Sequence, residues 1–88
     1  MEYNSGTCLR TFKGDLEQKI ISLLKFNETT LISGSGDEGF ALTIWNINSG
    51  QTLNNYKGHN GFVWSIIKIS ETTIASASDD GTIRIWSL

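Results

Sequence analysis

Three residue types that hydrolases combine occur close together in the second half of the chain: His59, Ser76 and Asp80. A catalytic triad needs an exposed serine on a sharp turn, beside donors that stabilise the oxyanion. Ser76 instead lies inside TIASAS, a run of small and β-branched residues that predicts a strand. Because no other catalytic part accompanies it, we expect no enzyme, and a Ser76→Ala variant should have no activity to lose.

A second pattern concerns nucleotide binding. Residues 34–39, GSGDEG, fit the G-x-G-x-x-G pattern of dinucleotide-binding loops and follow a predicted strand. Such a loop must lead into a helix whose N-terminus holds the pyrophosphate, but the next residues, FALTIWNI, are a β-type run. With one cysteine, Cys8, and no cluster of Cys or His, the sequence predicts no cofactor and no metal.

The charge and the hydropathy of the chain argue against nucleic acids and membranes as partners. The 88 residues carry a net charge of -2, and the 7 Lys and Arg are scattered, so we expect neither a nucleic-acid partner nor a membrane partner. No stretch approaches the roughly 18 apolar residues of a membrane span, and the first residues do not resemble a signal peptide. The single Cys8 favours a reducing, intracellular compartment, cytoplasmic or nuclear.

The chain repeats itself with a period in the low forties. The offset is 44 residues between the NSG tripeptides at Asn4 and Asn48, 43 between Ser22 and Ser65, and 41 between Trp45 and Trp86. The first copy therefore carries extra residues at two places where turns are expected. Repeats of this length built from short β-rich runs are typical of propeller blades, whereas helical repeats show apolar spacing of about 3.6 residues.

Eight short runs bounded by Gly, Asn and Asp predict eight strands: TCLRTF (7–12), KIISLLKF (19–26), TLISGS (30–35), FALTIWNI (40–47), QTLNNY (51–56), FVWSIIKI (62–69), TIASAS (73–78) and TIRIWSL (82–88). KIISLLKF and FVWSIIKI are apolar almost throughout, so we expect both faces of these strands to be covered. The more polar TCLRTF and QTLNNY suit outer edges. The predicted fold class is all-β, with antiparallel propeller blades: an outer strand at 7–12, a full blade at 19–56 and three strands of a second at 62–87.

The second copy contains in order a Gly-His pair ending at His59, the serine and aspartate of SASDDG, and Trp86 six residues after Asp80. With these motifs residues 6–88 resemble the WD-repeat β-propeller family, although the dipeptides WN and WS replace the family's Trp-Asp. The resemblance implies a structural hydrogen-bond chain. Trp86 donates to Ser76, and Ser76 donates to His59. His59 in turn donates to Asp80.

The first copy departs from this pattern at one position. Ser33, Asp37 and Trp45 stand at the matching places, but Asp15 replaces the histidine. Two carboxylates cannot hydrogen-bond to each other without a proton, so either Asp15 faces solvent or the pair shares a proton. We favour solvent, because the extra residue in that loop lets Asp15 move. The first blade is then the less rigid one.

WD-repeat proteins typically bind partners on the face where loops enter the innermost strands. By position, the resemblance places six residues near that face: Phe62, Trp64 and Asp79 in the second copy, and Lys19, Ile21 and Gly36 in the first. Aromatic residues there are interface candidates, but the two aromatics could instead fill the space between blades. If the aromatic residues contact a partner, a Trp64→Ala variant should fold and bind that partner more weakly. If they fill the space between blades, the variant should fail to fold.

Propellers close at about four to eight blades, so two repeats cannot close a ring alone. Either the chain is a fragment of a larger propeller, or it forms a homo-oligomer in which residues 7–12 complete the second blade of another copy. The resemblance implies a non-catalytic interaction scaffold for a peptide or protein partner. The alternative function is a self-assembling structural unit whose copies complete a propeller between chains.

Overall fold

The computed structural model describes residues 6–13, 19–36 and 41–88 of the chain. Within these ranges it contains seven strands: β1 Ile20–Lys25, β2 Thr30–Ser35, β3 Ala41–Asn46, β4 Thr52–Lys57, β5 Val63–Ser70, β6 Thr73–Ser78 and β7 Ile83–Ser87. The all-β prediction is confirmed. Asp15 and Asp37 lie outside the described residues.

Neighbouring strands pair antiparallel into two sheets, β1-β2-β3-β4 and β5-β6-β7, which we term the first and second blade. The connections between consecutive strands of a blade are short, so strands that are consecutive in sequence are also neighbours in space. In the β6–β7 turn, Gly81 has a φ of 83°, a backbone conformation that side chains other than glycine rarely adopt. The turn therefore depends on the Asp-Gly pair that the sequence places there.

The hydrophobic core lies between the two blades. Successive residues of a strand point to opposite sides, so the first blade presents one face to the second: Leu24 is opposite Ile32, and Ile32 is opposite Ile44. The core comprises Phe26, Ile32, Leu42, Ile44, Val63, Ile66 and Ile74. Truncating a fully buried member such as Ile32 to alanine should cost about 2–5 kcal/mol of folding free energy.

Two hydrogen bonds join the blades where β1 lies alongside β5. The Ser22 hydroxyl donates to the carbonyl of Val63, and the Lys68 ammonium donates to the carbonyl of Phe26, each over 2.8 Å. The same ammonium lies 4.7 Å from the centre of the Phe26 ring. The interface therefore combines apolar packing with two bonds that fix the register of one blade against the other.

The expectation that β1 and β5 are covered on both faces is wrong. Leu23 on β1 is 62% exposed, and Ile67 on β5 is 57% exposed. Each blade has a neighbouring blade on one side only within the described residues. On the other side of each blade, Leu23 and Ile67 therefore remain in contact with solvent.

The prediction of a strand at residues 7–12 is also wrong, because none of these residues is in a strand. No strand of the described part of the chain pairs with this segment, so its backbone has no ladder to join. One side chain of the segment, Phe12, nevertheless packs on the first blade as an outer-strand aromatic residue packs on the second. The centre of the Phe12 ring lies 5.7 Å from that of Trp45 in the first blade. In the same way, the centre of the Tyr56 ring, on the outer strand β4, lies 5.8 Å from that of Trp86 in the second blade.

Candidate functional site

A hydrogen-bond chain crosses the interior of the second blade. Trp86 on β7 donates its indole N–H to the hydroxyl of Ser76 on β6 over 2.8 Å. The same hydroxyl lies 2.7 Å from Nε2 of His59, which is in the connection between β4 and β5. Nδ1 of His59 lies 3.0 Å from Oδ2 of Asp80 in the β6–β7 turn. The four side chains thereby tie two strands, a connection and a turn together.

One arrangement of protons satisfies the whole chain. An indole N–H can only donate, so Ser76 accepts from Trp86 and gives its own proton to Nε2 of His59. The other ring nitrogen then carries a proton and donates to Asp80. His59 and Ser76 are 4% and 1% exposed, and an unpaired polar group at such depth would cost about 1–3 kcal/mol.

Asp80 accepts further bonds that hold it ionised. Hydrogen bonds from the Thr82 hydroxyl, and next from the backbone N–H of Asn60, hold the pKa of the Asp80 carboxyl well below its ordinary value. Desolvation opposes them, and His59 and the backbone N–H of Thr82 add smaller contributions in the lowering direction. The ionised carboxylate is thus the fixed acceptor at the end of the chain.

The same geometry argues against a hydrolytic serine. Ser76 is 1% exposed, and its hydroxyl oxygen is held between the indole of Trp86 and the imidazole of His59. A nucleophile must reach a substrate carbonyl, and this oxygen cannot do so without opening the blade. The three residues that suggested a triad are therefore arranged as structural supports.

The first blade contains part of the same arrangement. Trp45 donates its indole N–H to the Ser33 hydroxyl over 2.8 Å, and both side chains are buried. Asp37, the predicted third member of this set, lies outside the described residues, as does Asp15. Among the described residues, the indole-to-serine bond is common to both blades.

The predicted partner-binding residues of the second blade lie together. The Trp64 indole N–H donates to the carboxylate of Asp79, and the Phe62 and Trp64 rings meet edge to face with centres 5.5 Å apart. The backbone N–H of Asp79 donates to the carbonyl of Phe62 over 3.0 Å. We term Phe62, Trp64 and Asp79 the Trp64 face. Trp64 is 51% exposed, so its ring is not enclosed between the two blades.

The Trp64 face is attached directly to the buried network. Asp79 immediately precedes Asp80, and the connection that carries His59 continues into Phe62. Gly61 lies between His59 and Phe62 in this connection, and a Cβ on residue 61 would be 2.8 Å from the backbone nitrogen of Asp80. The connection can approach the turn this closely only because residue 61 is glycine, and the two segments are held as one unit.

The first-blade candidates lie at the same end of the molecule. The carbonyl of Lys19 accepts a bond from the backbone N–H of Gly36 over 2.8 Å, and Ile21 is half-buried against Gly36. Ser22, the next residue, donates to the carbonyl of Val63 at the start of β5. Lys19 and Ile21 are therefore close to the point where the chain enters β5 from the Trp64 face.

The sequence analysis did not single out four residues whose hydrogen bonds hold Asp80 or join the two blades. Thr82 and Asn60 bind the carboxylate of Asp80, while Ser22 and Lys68 join the blades. The repeat contained a signal for the second pair, because Ser22 recurs as Ser65 at 43 residues. A side chain kept at equivalent positions of adjacent blades is a candidate for the contact between them.

A comparison with protein-family models finds the WD domain, G-beta repeat, over residues 50–87, the segment that contains the whole hydrogen-bond chain. The chain belongs to the WD-repeat family. Its relatives in this family generally mediate protein–protein interactions or act as scaffolds.

Three curated relatives illustrate the range of proteins that carry similar repeats. The SIR4-interacting protein SIF2 of Saccharomyces cerevisiae is 34% identical over 68 residues, covering 77% of this chain and 13% of the relative. The DENN domain and WD repeat-containing protein SCD1 of Arabidopsis thaliana is 35% identical over 87 residues, covering 99% and 7%. Eukaryotic translation initiation factor 3 subunit I of Neurospora crassa is 29% identical over 72 residues, covering 81% and 21%. The WD-repeat chain thus spans only a small part of these relatives' length.

Among solved structures, the chain is similar to two computationally designed propeller proteins. The crystal structure of Ika4 matches with a TM-score of 0.76 and 26% identity, covering 94% of this chain and 49% of Ika4. The crystal structure of Ika8 matches with a TM-score of 0.66 and 28% identity, covering 78% of this chain and 20% of Ika8. The two sheets are therefore arranged as adjacent propeller blades.

Two features are absent from the described ranges. No helix there is long and apolar enough to cross a membrane. Residues 6–13, 19–36 and 41–88 also contain no group of three or more His, Cys, Asp or Glu side chains able to hold a metal ion.

Proposed function

We propose that this WD-repeat chain is a non-catalytic interaction scaffold that binds a peptide or protein partner on the Trp64 face. The observation that carries the proposal is a half-exposed indole whose N–H is already bonded to Asp79. Exposed aromatic side chains held in one orientation are frequent sources of binding energy at interfaces, because little side-chain freedom is lost on binding. Lys19 and Ile21 are proposed to form the margin of the same surface.

The chemistry of the Trp64 face suggests what a bound segment contains. Because the indole N–H is bonded within the chain, the ring offers an apolar surface rather than a donor. The Asp79 carboxylate beside it is exposed and complements a positive charge. We therefore propose a partner segment with an apolar side chain next to a lysine or arginine.

The relatives support an interaction role in general terms. The name of the SIR4-interacting protein SIF2 describes it as interacting with another protein. The relative named as a translation initiation factor subunit supports the proposal that this chain works inside the cell, in the cytoplasm or the nucleus.

The test uses peptides selected from a random phage-displayed library on the immobilised chain. We expect Trp64→Ala and Asp79→Asn to weaken the dissociation constant of a selected peptide, the former by about 30-fold or more, since truncating an aromatic anchor costs about 2 kcal/mol. Leu53→Ala is the matched control, because Leu53 is 56% exposed on β4, outside the Trp64 face. Unchanged affinity in a folded Trp64→Ala variant would overturn the proposal.

A further inference from the structure

The connection between β4 and β5 contains an asparagine followed by glycine, Asn60–Gly61. Asparagine is among the chemically labile residues of proteins, because the backbone nitrogen of the next residue can attack its side-chain amide carbon, Cγ. A following glycine favours this attack, since it has no Cβ to hinder the approach and its backbone is the least restricted. Asn60 is exposed and lies outside the strands, so its side chain can turn toward that nitrogen.

Both groups that would react are unbonded at this site. The backbone N–H of Gly61 forms no hydrogen bond with the described part of the chain. The hydrogen bond from Asn60 to Asp80 uses the backbone N–H of Asn60 and leaves its side-chain amide without a partner among the described residues. Nothing in these ranges therefore holds the nucleophile and the amide carbon apart.

The facing turn contains a second residue of this kind, Asp80–Gly81, and there the contacts oppose the same reaction. The backbone N–H of Gly81 donates to the carbonyl of Ser78 over 3.2 Å. Hydrogen bonds from the Thr82 hydroxyl and from the backbone N–H of Asn60 lower the pKa of the Asp80 carboxyl, so it is ionised. An ionised carboxylate resists a nucleophile, because it already carries negative charge and has no good leaving group.

Two asparagines in the β3–β4 turn are protected in a similar way. Ser49, which follows Asn48, donates its backbone N–H to the side-chain oxygen of Asn46 over 2.9 Å. Ile47, which follows Asn46, donates its backbone N–H to the carbonyl of Thr29, also over 2.9 Å. In both pairs the nitrogen that would attack is held as a donor to another group, in contrast to the nitrogen of residue 61.

We propose that Asn60 is a site of spontaneous deamidation and isoaspartate formation, and that the modification weakens the buried hydrogen-bond chain. The nitrogen of Gly61 attacks Cγ of Asn60 and forms a bond to it, and the side-chain nitrogen leaves with the displaced proton as ammonia. The cyclic succinimide that results is opened by a water molecule. Opening at one carbonyl gives aspartate, and opening at the other gives isoaspartate, in which the backbone runs through the former side chain.

The modification changes the connection where it packs most closely on the turn. A Cβ on Gly61 would be 2.8 Å from the backbone nitrogen of Asp80, so a backbone lengthened by a methylene group cannot follow the same path without separating from the turn. Either product also places a new carboxylate beside the ionised Asp80, and the like charges repel. Because the same connection carries His59, the bond from His59 to Asp80 is weakened.

The first measurement compares the chain folded in neutral buffer with the chain unfolded in urea, both held at physiological temperature. Peptide mapping by mass spectrometry locates each amide converted to an acid, and a carboxyl methyltransferase specific for isoaspartate marks that product. We expect conversion of Asn60 in both samples, and any product at Asn48 or Asp80 in the unfolded sample alone. An intact Asn60 in the folded chain, or equal conversion of Asn48 and Asn60 there, would overturn the proposal.

The second measurement tests the structural effect, which does not depend on a partner. The deamidated chain carries an added negative charge, so ion exchange separates it from the fresh chain, and we expect it to unfold at a lower urea concentration. Asn60→Gln is the matched control. It keeps a side-chain amide but needs a larger, less favourable ring, so the same incubation should change neither its mass nor its urea midpoint. Equal midpoints for the fresh and the deamidated chain would contradict the proposed effect on the buried hydrogen-bond chain.

Discussion

The indole N–H of Trp64 donates to the carboxylate of Asp79, and Asp79 is joined by a single peptide bond to the aspartate that ends the buried hydrogen-bond chain. An exposed aromatic ring is thus oriented by a side chain whose own backbone is held by the interior of the second blade. This relation connects stability with binding: changes to the buried chain should affect both, whereas changes on the far side of β4 should affect neither.

The first prediction concerns the middle of the buried chain. His59→Ala removes the acceptor of Ser76 and the donor to Asp80, so buried polar groups lose their partners. We expect the free energy of unfolding to fall by about 1–3 kcal/mol in urea titration. Ser87→Ala, an exposed serine on β7, serves as the control and should change it by less than about 0.5 kcal/mol. Equal stability of the two variants would show that the chain is not a structural support.

The second prediction concerns the loss of folding stability at acidic pH. The pKa of Asp80 is lower in the folded chain than its ordinary value of 3.8, so the contribution of this carboxylate to stability is complete at neutral pH. As the pH falls below about 4, the unfolded chain takes up the proton first, and the contribution is lost. Asp80→Asn should be less stable at neutral pH and lose less stability on acidification. Parallel stability profiles against pH for the two proteins would contradict this.

The third prediction uses the histidine that the first blade lacks. Asp15→His would supply the ring that, in the second blade, joins serine to aspartate. A gain of about 1 kcal/mol would raise the melting temperature by about 4–8 °C for a domain of this size. Asp15→Asn removes the charge without supplying a ring and is the control. An unchanged or lower melting temperature for Asp15→His would count against a less rigid first blade.

The fourth prediction concerns the contact beneath the Trp64 face. Gly61→Ala places a Cβ 2.8 Å from the backbone nitrogen of Asp80, so the connection and the turn must separate. We expect a loss of about 0.5–3 kcal/mol in unfolding free energy and weaker binding of a selected peptide. At Gly6 an added Cβ meets nothing within 4 Å, so Gly6→Ala is the matched control. Equal unfolding free energies and equal peptide affinities for the two alanine variants would show that the close approach at Gly61 contributes to neither stability nor binding.

The repeat in the sequence was sufficient to predict the blades, because the alternation of apolar side chains and the position of turns are local properties of the chain. The environment of each face was not predictable in the same way. An apolar strand such as KIISLLKF is compatible with one covered face or two, and the number depends on a neighbouring blade. Residues 7–12 illustrate the same point, because Phe12 packs on Trp45 while the backbone of the segment has no strand to pair with.

The candidate site was predictable to the extent that the family pattern fixes spacing. That pattern indicated His59, Ser76, Asp80 and Trp86 as a connected set. It did not indicate that Trp64 bonds to Asp79, or that Lys68 reaches Phe26, since these contacts depend on how a turn and two blades meet in space.

Binding of a partner on the Trp64 face is measured most directly by the indole N–H signals of the 3 tryptophans. Nuclear magnetic resonance of the isotope-labelled chain, titrated with a selected peptide, resolves one such signal for each ring, and a Trp64→Phe variant assigns the signal of Trp64. We predict that the Trp64 signal moves with peptide concentration while those of Trp45 and Trp86, which bond to Ser33 and Ser76, stay in place. A stationary Trp64 signal at saturating peptide, with the peptide bound, would contradict the account.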